Sequence, residues 1–550
     1  MSQAWLKQYP EKVGPTIDIP NDLNISSLIE STCKKFPAKK ALTCMGTSVT
    51  FRQFDRMAND FAAYLQTDAK VTKGDRVAIM LPNIIQFPVA LFAAQKIGAL
   101  CVNTNPLYTP REMKHQFVDS GAKVLIILNF FLDKLEEIIK DTQIETVIVT
   151  SIGDQMPTWK GALIDTVLKL KGQVPKHGLN VVQFKTALRS GAGKAYTKPK
   201  ITLDDIAILQ YTGGTTGLSK GAMLTHRNII ANVKQIQAWA SPFVSETGED
   251  VILTALPLYH IFALSVNFLA FLTLGGEMIL VPKPVPIENT VKIFNKYKIT
   301  VMTGINTLYN ALNHNPAFMA NPPKTLKVAL AGGMALQATV GEAFQRLTGT
   351  RIIEGYGLTE SSPVTHCNPV HVNIPYGSIG VPLPSTLAEI RDDDGKPLPT
   401  GEVGELVIKG PQVMKGYWKK DEDTASTIRD GWLFTGDMGR MDEDGLFYIV
   451  DRKKDMVLVS GFNVYPNEVE SVISGNPKVL ECAVIGVPDE KSGEAVKAFV
   501  VKKDESLTAE ELKKWCEKEL TGYKRPRHIE FVKDLPKSNV GKILRRELRK

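Results

Sequence analysis

The sequence has 550 residues, 43% of them hydrophobic, which is enough for a large buried core and indicates two or more domains. Its 66 basic and 58 acidic residues are mixed along the chain and give a formal charge of +8. This mild excess suits a polyanionic small molecule. It does not favour nucleic acid, for which no binding module is recognisable. The six cysteines form no CxxC pair or Cys/His cluster and the N-terminus has no apolar signal core, so neither a disulfide framework nor a zinc site is expected, and a reducing, cytoplasmic setting is predicted.

Short apolar runs rich in β-branched residues follow one another through the first 150 residues. They are RVAIML (76–81), ALCVN (99–103), KVLIIL (123–128) and ETVIVT (145–150). Helix-like segments separate these runs, as in the stretch after Pro82. This alternation predicts an α/β fold with largely parallel strands.

A loop rich in glycine and threonine follows the predicted strand IAILQ. It reads YTGGTTGLSKGA from Tyr211 to Ala222, with a single lysine, Lys220. Backbone N–H groups, hydroxyls and an ammonium in this arrangement can wrap an anion. The loop is not a Walker A motif, because Lys220 follows Ser219 and precedes Gly221. A plain surface loop is the alternative, and the composition disfavours it.

A long uncharged run extends from residue 251 to residue 276, and its length is sufficient to span a bilayer. Pro257, His260 and Asn267 interrupt it, and its first part, VILTAL, reads as a strand. The remaining apolar run, 261–274, is short for a membrane span. We therefore predict a buried core helix, of which the wall of an apolar tunnel would be a functional version.

The sequence pattern changes twice in the second half of the chain. Between about residues 377 and 450, strand-like runs alternate with turn sequences such as DDDGKPLPTG and DEDG, which predicts a small β-rich subdomain with hairpins. After the charged run 451–455, strands alternate with helices, one of them capped by Thr508. We expect an N-terminal domain over 1–451 and a compact α+β C-terminal domain over 452–550.

The glycine–threonine loop and a series of later motifs resemble the adenylate-forming superfamily of acyl-CoA synthetases, luciferases and peptide-synthetase adenylation domains. In the order of that family, the motifs are PLYH (257–260), AGG (331–333), GYGLTE (355–360), TGD (435–437), DRKKD (451–455), SGFN (460–463) and PKSNVGK (536–542). The match runs from end to end of the chain. The segment 431–470 is most similar to bacterial long-chain fatty-acid–CoA ligases. The resemblance implies an AMP-binding N-terminal domain and a mobile C-terminal domain with its hinge at Lys454.

The resemblance also implies which residues bind ATP or AMP. They are Thr212, Gly213, Gly214, Thr215, Thr216, Gly217, Lys220, Gly332, Gly333, Gly355, Tyr356, Gly357, Thr359, Asp437, Arg452 and Lys542. Tyr356 would stack on adenine, and Asp437 with Arg452 would hold the ribose hydroxyls. Each motif alone has a plainer interpretation, such as a tight turn for TGD and a solvated charge cluster for DRKKD.

The catalytic residues implied by the resemblance are Lys542, Thr359, Glu360 and His260. Lys542 would bridge the acyl carboxylate and the α-phosphate and neutralise the charge that develops there. Thr359 would contact the α-phosphate, and Glu360 would bind Mg²⁺ as a hard oxygen ligand. His260 would occupy a gating position at the acyl pocket, although a core histidine is the plainer interpretation. Gly461 would let the thiol of coenzyme A pass beside the backbone in the second step.

The function implied is ATP-dependent formation of acyl-CoA from a long-chain fatty acid through an acyl-adenylate. The alternatives are a medium-chain, aryl-acid or amino-acid activator and, from another class, a non-catalytic fatty-acid-binding or uptake protein. Retention of Lys220, Glu360, Asp437, Arg452 and Lys542 argues against the second class. The expected partners are the fatty acid, ATP and CoA, and peripheral membrane association and a homodimer are both compatible with the sequence.

Overall fold

The computed structural model describes residues 3–212, 219–370, 372–538 and 541–549. These residues form three β-sheets, two in the first 452 residues and one in the C-terminal unit. Helices accompany all three sheets, so the mixed α/β fold class predicted from the sequence is confirmed. Short 3-10 helices lie at Ala4–Gln8, Asn129–Phe131, Ile139–Asp141, Thr359–Ser361 and Gly522–Lys524.

Strands and helices alternate in residues 3–212. The strands are β1 (Lys40–Cys44), β2 (Thr47–Thr50), β3 (Arg76–Met80), β4 (Leu100–Asn103), β5 (Val124–Leu128), β6 (Thr146–Thr150), β7 (Val182–Gln183) and β8 (Ile206–Thr212). The helices are α1 (Ile25–Lys35), α2 (Phe51–Thr67), α3 (Gln86–Lys96), α4 (Pro110–Ser120), α5 (Leu132–Ile138), α6 (Thr158–Leu170) and α7 (Phe184–Gly191). Side chains fix several helix starts: the Gln53 N–H donates to Thr50 Oγ1, and Gln53 Oε1 accepts from the Thr50 N–H.

The alternation continues in residues 219–370. The strands are β9 (Lys220–Thr225), β10 (Val251–Thr254), β11 (Glu277–Leu280), β12 (Val301–Gly304), β13 (Val328–Ala331), β14 (Ile352–Gly357) and β15 (Val364–Cys367). The helices are α8 (His226–Ala240), α9 (Glu288–Lys296), α10 (Asn306–Asn313), α11 (Pro316–Ala320), α12 (Ala338–Thr348) and a π-helix, Ala263–Phe271.

The first sheet has the strand order β7-β6-β5-β3-β4-β8-β9. Its strands are parallel except for the antiparallel pair β8–β9, as the four early apolar runs predict. In that pair Thr212 lies opposite Lys220, so the two ends of the glycine–threonine loop stand side by side.

The second sheet has the order β17-β18-β20-β21-β16-β15-β14-β13-β12-β10-β11-β1-β2, where β16 to β21 are the strands of residues 378–452 given below. Its stretch from β14 to β1 is parallel, and the rest is antiparallel. The carboxyl ends of parallel strands meet at one edge of a sheet, which is where ligands bind in open α/β sheets. Gly304, Ala331 and Gly357 end β12, β13 and β14 at this edge.

The uncharged run forms β10 and the π-helix Ala263–Phe271, and every residue of that helix is buried. The buried amide of Asn267 is satisfied by the hydroxyls of Thr254 and Thr303. The prediction of a buried core helix is therefore confirmed. No helix in the described part of the chain is both long and apolar enough to cross a bilayer.

Residues 378–452 form the predicted β-rich region. Its elements are β16 (Ser378–Pro382), β17 (Leu387–Arg391), β18 (Gly404–Lys409), α13 (Asp421–Thr427), β19 (Ile428–Arg429), β20 (Trp432–Met441) and β21 (Phe447–Arg452). Its strand pairs are antiparallel. The DDDG sequence forms a turn in which the Gly395 N–H donates to the Asp392 carbonyl at 3.0 Å.

The C-terminal unit has its own sheet and its own apolar core. Its elements are β22 (Val457–Val459), β23 (Phe462–Val464), α14 (Pro466–Ser474), β24 (Val479–Asp489), β25 (Gly493–Lys502), α15 (Ala509–Glu519), β26 (His528–Phe531) and α16 (Arg545–Leu548). Thr508 caps α15 by accepting from the Glu511 N–H, as predicted. The domain boundary at 451/452 and the hinge at Lys454 stay predictions.

Candidate active site

Lys542 extends from the C-terminal tail to the glycine-rich turn after β13. A Cβ atom on Gly333 would lie 3.5 Å from Lys542 Cε, and Gly333 itself has a φ of +79°. The tail is held locally, because the Ser538 N–H donates to the Lys542 carbonyl at 2.7 Å and the Lys542 N–H donates to Ser538 Oγ at 3.1 Å. The lysine side chain therefore lies beside this turn at the edge of the second sheet, and the positive φ at 333 favours glycine there.

The surroundings of Lys542 lower the pKa of its ammonium group. Burial and the nearby Arg452 guanidinium lower the pKa of the ammonium to about 8, against the opposite effect of the Asp437 and Glu360 carboxylates. The lysine still carries its charge at neutral pH. A cation thus stands among two acidic side chains at the place where parallel strands end.

Asp437 is the centre of a second group of contacts. The Tyr356 hydroxyl donates to Asp437 Oδ2 at 2.6 Å, and Arg452 Nε lies 3.3 Å from Asp437 Oδ1. Strand pairing explains the second contact, because Asp437 in β20 is in register with Arg452 in β21. The carboxylate is buried, whereas the arginine is half exposed. Two neighbouring strands and the end of β14 therefore bring together three residues that are far apart in sequence.

Lys220 and Glu360 are connected through Tyr417. The Lys220 ammonium forms an ion pair with Asp423 and lies 5.3 Å from the centre of the Tyr417 ring. The Tyr417 hydroxyl donates to Glu360 Oε1 at 2.7 Å. Tyr417 and Asp423 were not predicted from the sequence. Tyr417 belongs to no recognised motif, and an acidic run such as DEDT at 421–424 is typical of the first turn of a helix.

Part of the glycine–threonine loop lies outside the described residues, namely Gly213, Gly214, Thr215, Thr216, Gly217 and Leu218. The ends of the loop are described. Thr212 pairs with Lys220, and the Ser219 carbonyl lies 2.8 Å from His115 Nε2.

The GYGLTE motif spans the end of β14 and the following 3-10 turn. Gly355, Tyr356 and Gly357 belong to the strand, and Thr359 and Glu360 open the turn. A Cβ atom on Gly357 would come within 2.1 Å of the Pro363 carbonyl oxygen, so only glycine fits there.

His260 and Phe262 follow β10 and lie near Lys542. The Phe262 N–H donates to His260 Nδ1 at 3.3 Å. Burial, together with the Lys542 charge, lowers the pKa of His260 to about 3, so its imidazole is neutral. A Cβ atom on Gly332 would lie 3.2 Å from the Phe262 ring. The ring therefore packs directly on the glycine turn, a contact that the sequence analysis missed because Phe262 belongs to no motif.

An apolar cavity lies between α8, the π-helix and the strands β10 and β12 to β15. Trp239, Val266, Ala270, Leu330 and Ile353 are among its lining residues. Its two polar lining residues are occupied elsewhere: Gln237 bonds to Thr273 and to the Ala270 carbonyl, and Thr303 bonds to Asn267. The cavity wall is thus apolar in effect. It includes part of the run predicted to form a tunnel wall.

The Phe262 ring lies at Gly332, beside the turn that Lys542 approaches and two residues from Leu330 of the cavity wall. Val266, one turn beyond Phe262, lines the cavity, and so does Leu330, two residues before Gly332. Cβ atoms on Gly332 and Gly333 would lie 3.2 Å from the Phe262 ring and 3.5 Å from Lys542 Cε. The phenylalanine ring and the lysine therefore lie at neighbouring positions, next to a strand whose Leu330 lines the cavity.

Arg545, three residues after Lys542, fastens the tail to the start of the C-terminal unit. Its guanidinium lies 3.3 Å from Asp451 Oδ1 and 2.8 Å from Glu470 Oε2, and it donates to Asn467 Oδ1 at 2.6 Å. The sequence analysis missed this role, because the basic tail looked like a solvated run.

Gly461 lies apart from these groups, in the exposed turn between β22 and β23. Its φ is +83°, and apart from its own atoms and those of its two chain neighbours no described atom lies within 4 Å of the position of its missing Cβ. Lys454 lies in the turn after β21. In this arrangement the structure brings Lys542, and not Gly461, to the edge of the second sheet.

No cluster of three or more His, Cys, Asp or Glu side chains that could hold a metal ion occurs within the described ranges. Mg²⁺ does not require such a cluster, because nucleotide-binding enzymes hold it through one or two carboxylates and the phosphate oxygens of the substrate. Glu360, whose Oε1 already accepts one hydrogen bond, fits that role through its remaining oxygen lone pairs.

Comparison with known proteins agrees with this geometry. A family model described as AMP-binding enzyme matches residues 29–418, and one described as AMP-binding enzyme C-terminal domain matches residues 468–542. A long-chain-fatty-acid–CoA ligase of Yersinia pestis is 50% identical and covers 100% of this chain and 98% of its own. One of Bacillus subtilis (strain 168) is 41% identical and covers 99% and 97%.

Solved structures show the same architecture. The anthranilate CoA ligase AuaEII in complex with anthranoyl-AMP has a TM-score of 0.86 at 28% identity and covers 96% of this chain and 97% of its own. ATP-bound MatB from Rhodopseudomonas palustris has a TM-score of 0.84 at 30% identity and covers 96% and 98%. Both the sequence and the fold therefore lead to one assignment: this chain belongs to the AMP-binding enzyme family.

Proposed function

We propose that this protein is an ATP-dependent long-chain fatty-acid–CoA ligase that releases AMP and pyrophosphate. The observation that carries the proposal is that Lys542 and the Phe262 ring approach neighbouring glycines just beyond the end of β13, a strand whose Leu330 lines an apolar cavity. A long acyl chain in the cavity would present its carboxylate to the lysine. The names of the Yersinia pestis and Bacillus subtilis relatives support the same substrate class.

In the first step, a carboxylate oxygen of the fatty acid attacks the α-phosphorus of ATP, and the bond from that phosphorus to the pyrophosphate oxygen breaks. The Lys542 ammonium bridges the two reactants and offsets the negative charge that grows on the phosphoryl oxygens. Thr359 donates to the α-phosphate. His260, neutral because its pKa is lowered to about 3, adds no competing positive charge beside the lysine.

Residues around the polar end of the site hold the nucleotide. Tyr356 stacks on adenine, and Asp437 accepts from both ribose hydroxyls, with Arg452 as the second ribose contact. Lys220 and the glycine–threonine loop bind the outer phosphates. The ion pair of Lys220 with Asp423 is partly exposed, so the ammonium can exchange this carboxylate for a phosphate.

Glu360 is the residue proposed to hold Mg²⁺. The ion would neutralise phosphate charge and help the pyrophosphate to leave. Tyr417 orients the Glu360 carboxylate through its hydrogen bond at 2.7 Å.

In the second step, the thiol of coenzyme A attacks the acyl carbonyl and AMP leaves. We propose that the C-terminal domain, residues 452–550, turns about Lys454 for this step, which withdraws Lys542 and brings Gly461 to the acyl group. The positive φ and the open space at Gly461 suit a backbone that a thin thiol arm must pass. Two half-reactions with opposite requirements favour a mobile domain of this kind.

The cellular setting is part of the proposal. The six cysteines are free and buried, as a reducing cytoplasm would keep them. Long-chain acids partition into bilayers, so we expect peripheral contact with a membrane. A homodimer stays a prediction.

The test is pyrophosphate release and thioester formation with acids from acetate through octanoate and palmitate to coumarate and amino acids. We expect kcat/KM to climb steeply from C8 to C16, because each buried methylene contributes about 0.8 kcal/mol. A maximum with small or aryl acids would contradict the proposed substrate. Fatty-acid binding without any pyrophosphate release would indicate a non-catalytic binding protein.

A further inference from the structure

Helix α6 (Thr158–Leu170) carries a row of large apolar side chains on the face that points to solvent. The exposed fractions are 73% for Trp159, 58% for Leu163, 40% for Val167 and 83% for Leu170. At 100° per residue, these four positions fall within one stripe of about 80°. Apolar residues on a surface are normally scattered, and a contiguous row marks an interaction site. We call this row the α6 stripe.

The opposite side of α6 is firmly seated on the protein. A Cβ atom on Gly161 would lie 2.4 Å from the Gly153 carbonyl oxygen, so the helix approaches the 151–154 loop as closely as glycine permits. Asp165 Oδ2 accepts from the Ser151 hydroxyl at 2.8 Å. The helix therefore cannot roll to bury its stripe without losing these contacts.

The charge of the segment that carries the stripe is one-sided. Residues 155–200 contain nine Lys or Arg and one acidic residue, Asp165, so the other residues carry 57 basic and 57 acidic side chains. The net charge of +8 is thus concentrated in this segment and not dispersed along the chain as the sequence analysis had it. Lys169, Lys171 and Lys176 form no ion pair with any residue that the structure describes. Their charge remains available to a partner.

A neighbouring turn extends the same surface. The Lys160 ammonium donates to the Met45 carbonyl at 2.6 Å, and 43% of Met45 is exposed. Lys296 is also close, since a Cβ atom on Gly46 would lie 3.0 Å from its ammonium. The exposed Met45 and two lysines, Lys160 and Lys296, therefore lie on the turn beside α6 or close to it.

We propose that the α6 stripe docks this protein on a bilayer surface that contains anionic phospholipid. Amphipathic helices with Trp and Leu on one face and lysines beside it lie in the plane of a membrane, with the apolar face about 5–10 Å deep. Trp159 suits the interface between headgroups and acyl chains, and the lysines meet the anionic headgroups. The proposal rests on the proposed function in one respect: a substrate that partitions into bilayers gives the docking its purpose.

The charge also favours a bilayer over the other occupants. A second copy would bring another segment of nine basic and one acidic residue against the first, and the like charges would repel. A nucleic acid would match the lysines but leave Trp159, Leu163 and Leu170 in water. A membrane with anionic lipid satisfies both features at once.

The experiment is flotation of the full-length protein with vesicles of phosphatidylcholine alone and of phosphatidylcholine with about 30% phosphatidylglycerol. We expect wild type to float with the anionic vesicles and to remain behind with the neutral ones. Trp159→Ser/Leu163→Gln/Leu170→Gln and Lys169→Glu/Lys171→Glu should each weaken binding at least about tenfold. The matched controls are Met319→Gln, an exposed apolar residue on α11, and Lys513→Glu/Lys514→Glu, exposed lysines on α15; both should bind as wild type does.

A second measurement separates docking from ligation. Pyrophosphate release with detergent-dispersed palmitate needs no vesicle, so the stripe variants should match wild type there. If wild type releases no pyrophosphate, the proposed function is contradicted, but the result of the vesicle flotation is still valid. Equal vesicle binding by wild type and the triple variant would overturn the docking proposal. So would wild type that binds neither vesicle but forms a dimer that the triple variant cannot form, because the stripe would then pack on a second copy.

Discussion

The polar cluster around Lys542, Asp437 and Glu360 and the apolar cavity have opposite physical character. In the cluster, both carboxylates have specific partners, Tyr356 for Asp437 and Tyr417 for Glu360. The cavity wall offers a ligand no polar group with which to form a hydrogen bond. The cluster can therefore recognise one nucleotide by its atoms, whereas the cavity can recognise only the size and length of an apolar group.

Lys542→Ala should break the cluster most severely. Loss of the ammonium removes charge stabilisation from the first transition state, so adenylate formation should fall by about 100- to 1,000-fold or more. Thioester formation from preformed acyl-adenylate and CoA should be spared. Lys537→Ala is the control, because Lys537 lies on the same tail but pairs with Glu481 at 2.6 Å. Equal loss in both half-reactions would refute the assignment of Lys542 to the first step.

Asp437→Ala tests whether the cluster recognises the nucleotide separately from the acid. Loss of an acceptor for two ribose hydroxyls costs about 2–4 kcal/mol if those donors stay unpaired, so the KM for ATP should rise about 30-fold or more. The KM for palmitate should change little. Asp393→Ala, at an ion pair whose carboxylate side chain is 88% exposed, should leave both constants as they are. If the dependence on ATP is unchanged in Asp437→Ala, the TGD turn is structural.

Ala270→Phe should alter the cavity and leave the cluster intact. Ala270 lines the cavity and is 1% exposed, so the added ring would occupy space proposed for the acyl chain. Displacing two or three methylenes, at about 0.8 kcal/mol each, should lower kcat/KM for C16 relative to C8 by about 10- to 50-fold. The KM for ATP should stay constant. Ala320→Phe, at an exposed position of α11, is the control; an unchanged C16/C8 ratio in Ala270→Phe would mean that the chain binds elsewhere.

The rate of the first step should depend on pH through the Lys542 ammonium of the cluster. This effect is smaller than those of the substitutions above. The ammonium is the active form of Lys542, and its pKa of about 8 places its loss in the range from pH 7 to pH 9. The kcat/KM for pyrophosphate release should therefore fall above pH 8, by about tenfold at pH 9. Lys542→Arg should remove this fall, because arginine keeps its charge at pH 9. A fall of the same size in Lys542→Arg would assign the titration to another group.

The two regions also differ in how far the sequence predicted them. The residues of the cluster belong to short motifs, because a bound nucleotide demands particular atoms at fixed places. The residues of the cavity come mainly from α8, the π-helix and five strands, and any apolar side chain of suitable size can serve there. The uncharged run 261–274 was the one signal, and it correctly indicated burial.

Residues that support the motifs were missed for a related reason. Tyr417 reaches Glu360 across 57 positions, and Arg545 reaches Asp451 across 94. Phe262 follows a motif by two residues and has no polar signature of its own. Nothing local in the chain shows that these side chains face a site.

The sequence by itself determined the alternating parallel strands, the hairpin-rich region before residue 452, the family and the identity of the charged residues in the motifs. Periodicity, turn chemistry and motif spacing are local properties of the chain, so they can be read without coordinates. Only the tertiary structure decided that Phe262 and Lys542 approach neighbouring glycines beside a strand of the apolar cavity, and that Tyr417 lies between Lys220 and Glu360. It also decided that the apolar face of α6 points to solvent, near three lysines that form no ion pair with the described residues. These facts depend on how distant elements pack against one another, and burial cannot be assigned to either face of an amphipathic helix until its neighbours are in place.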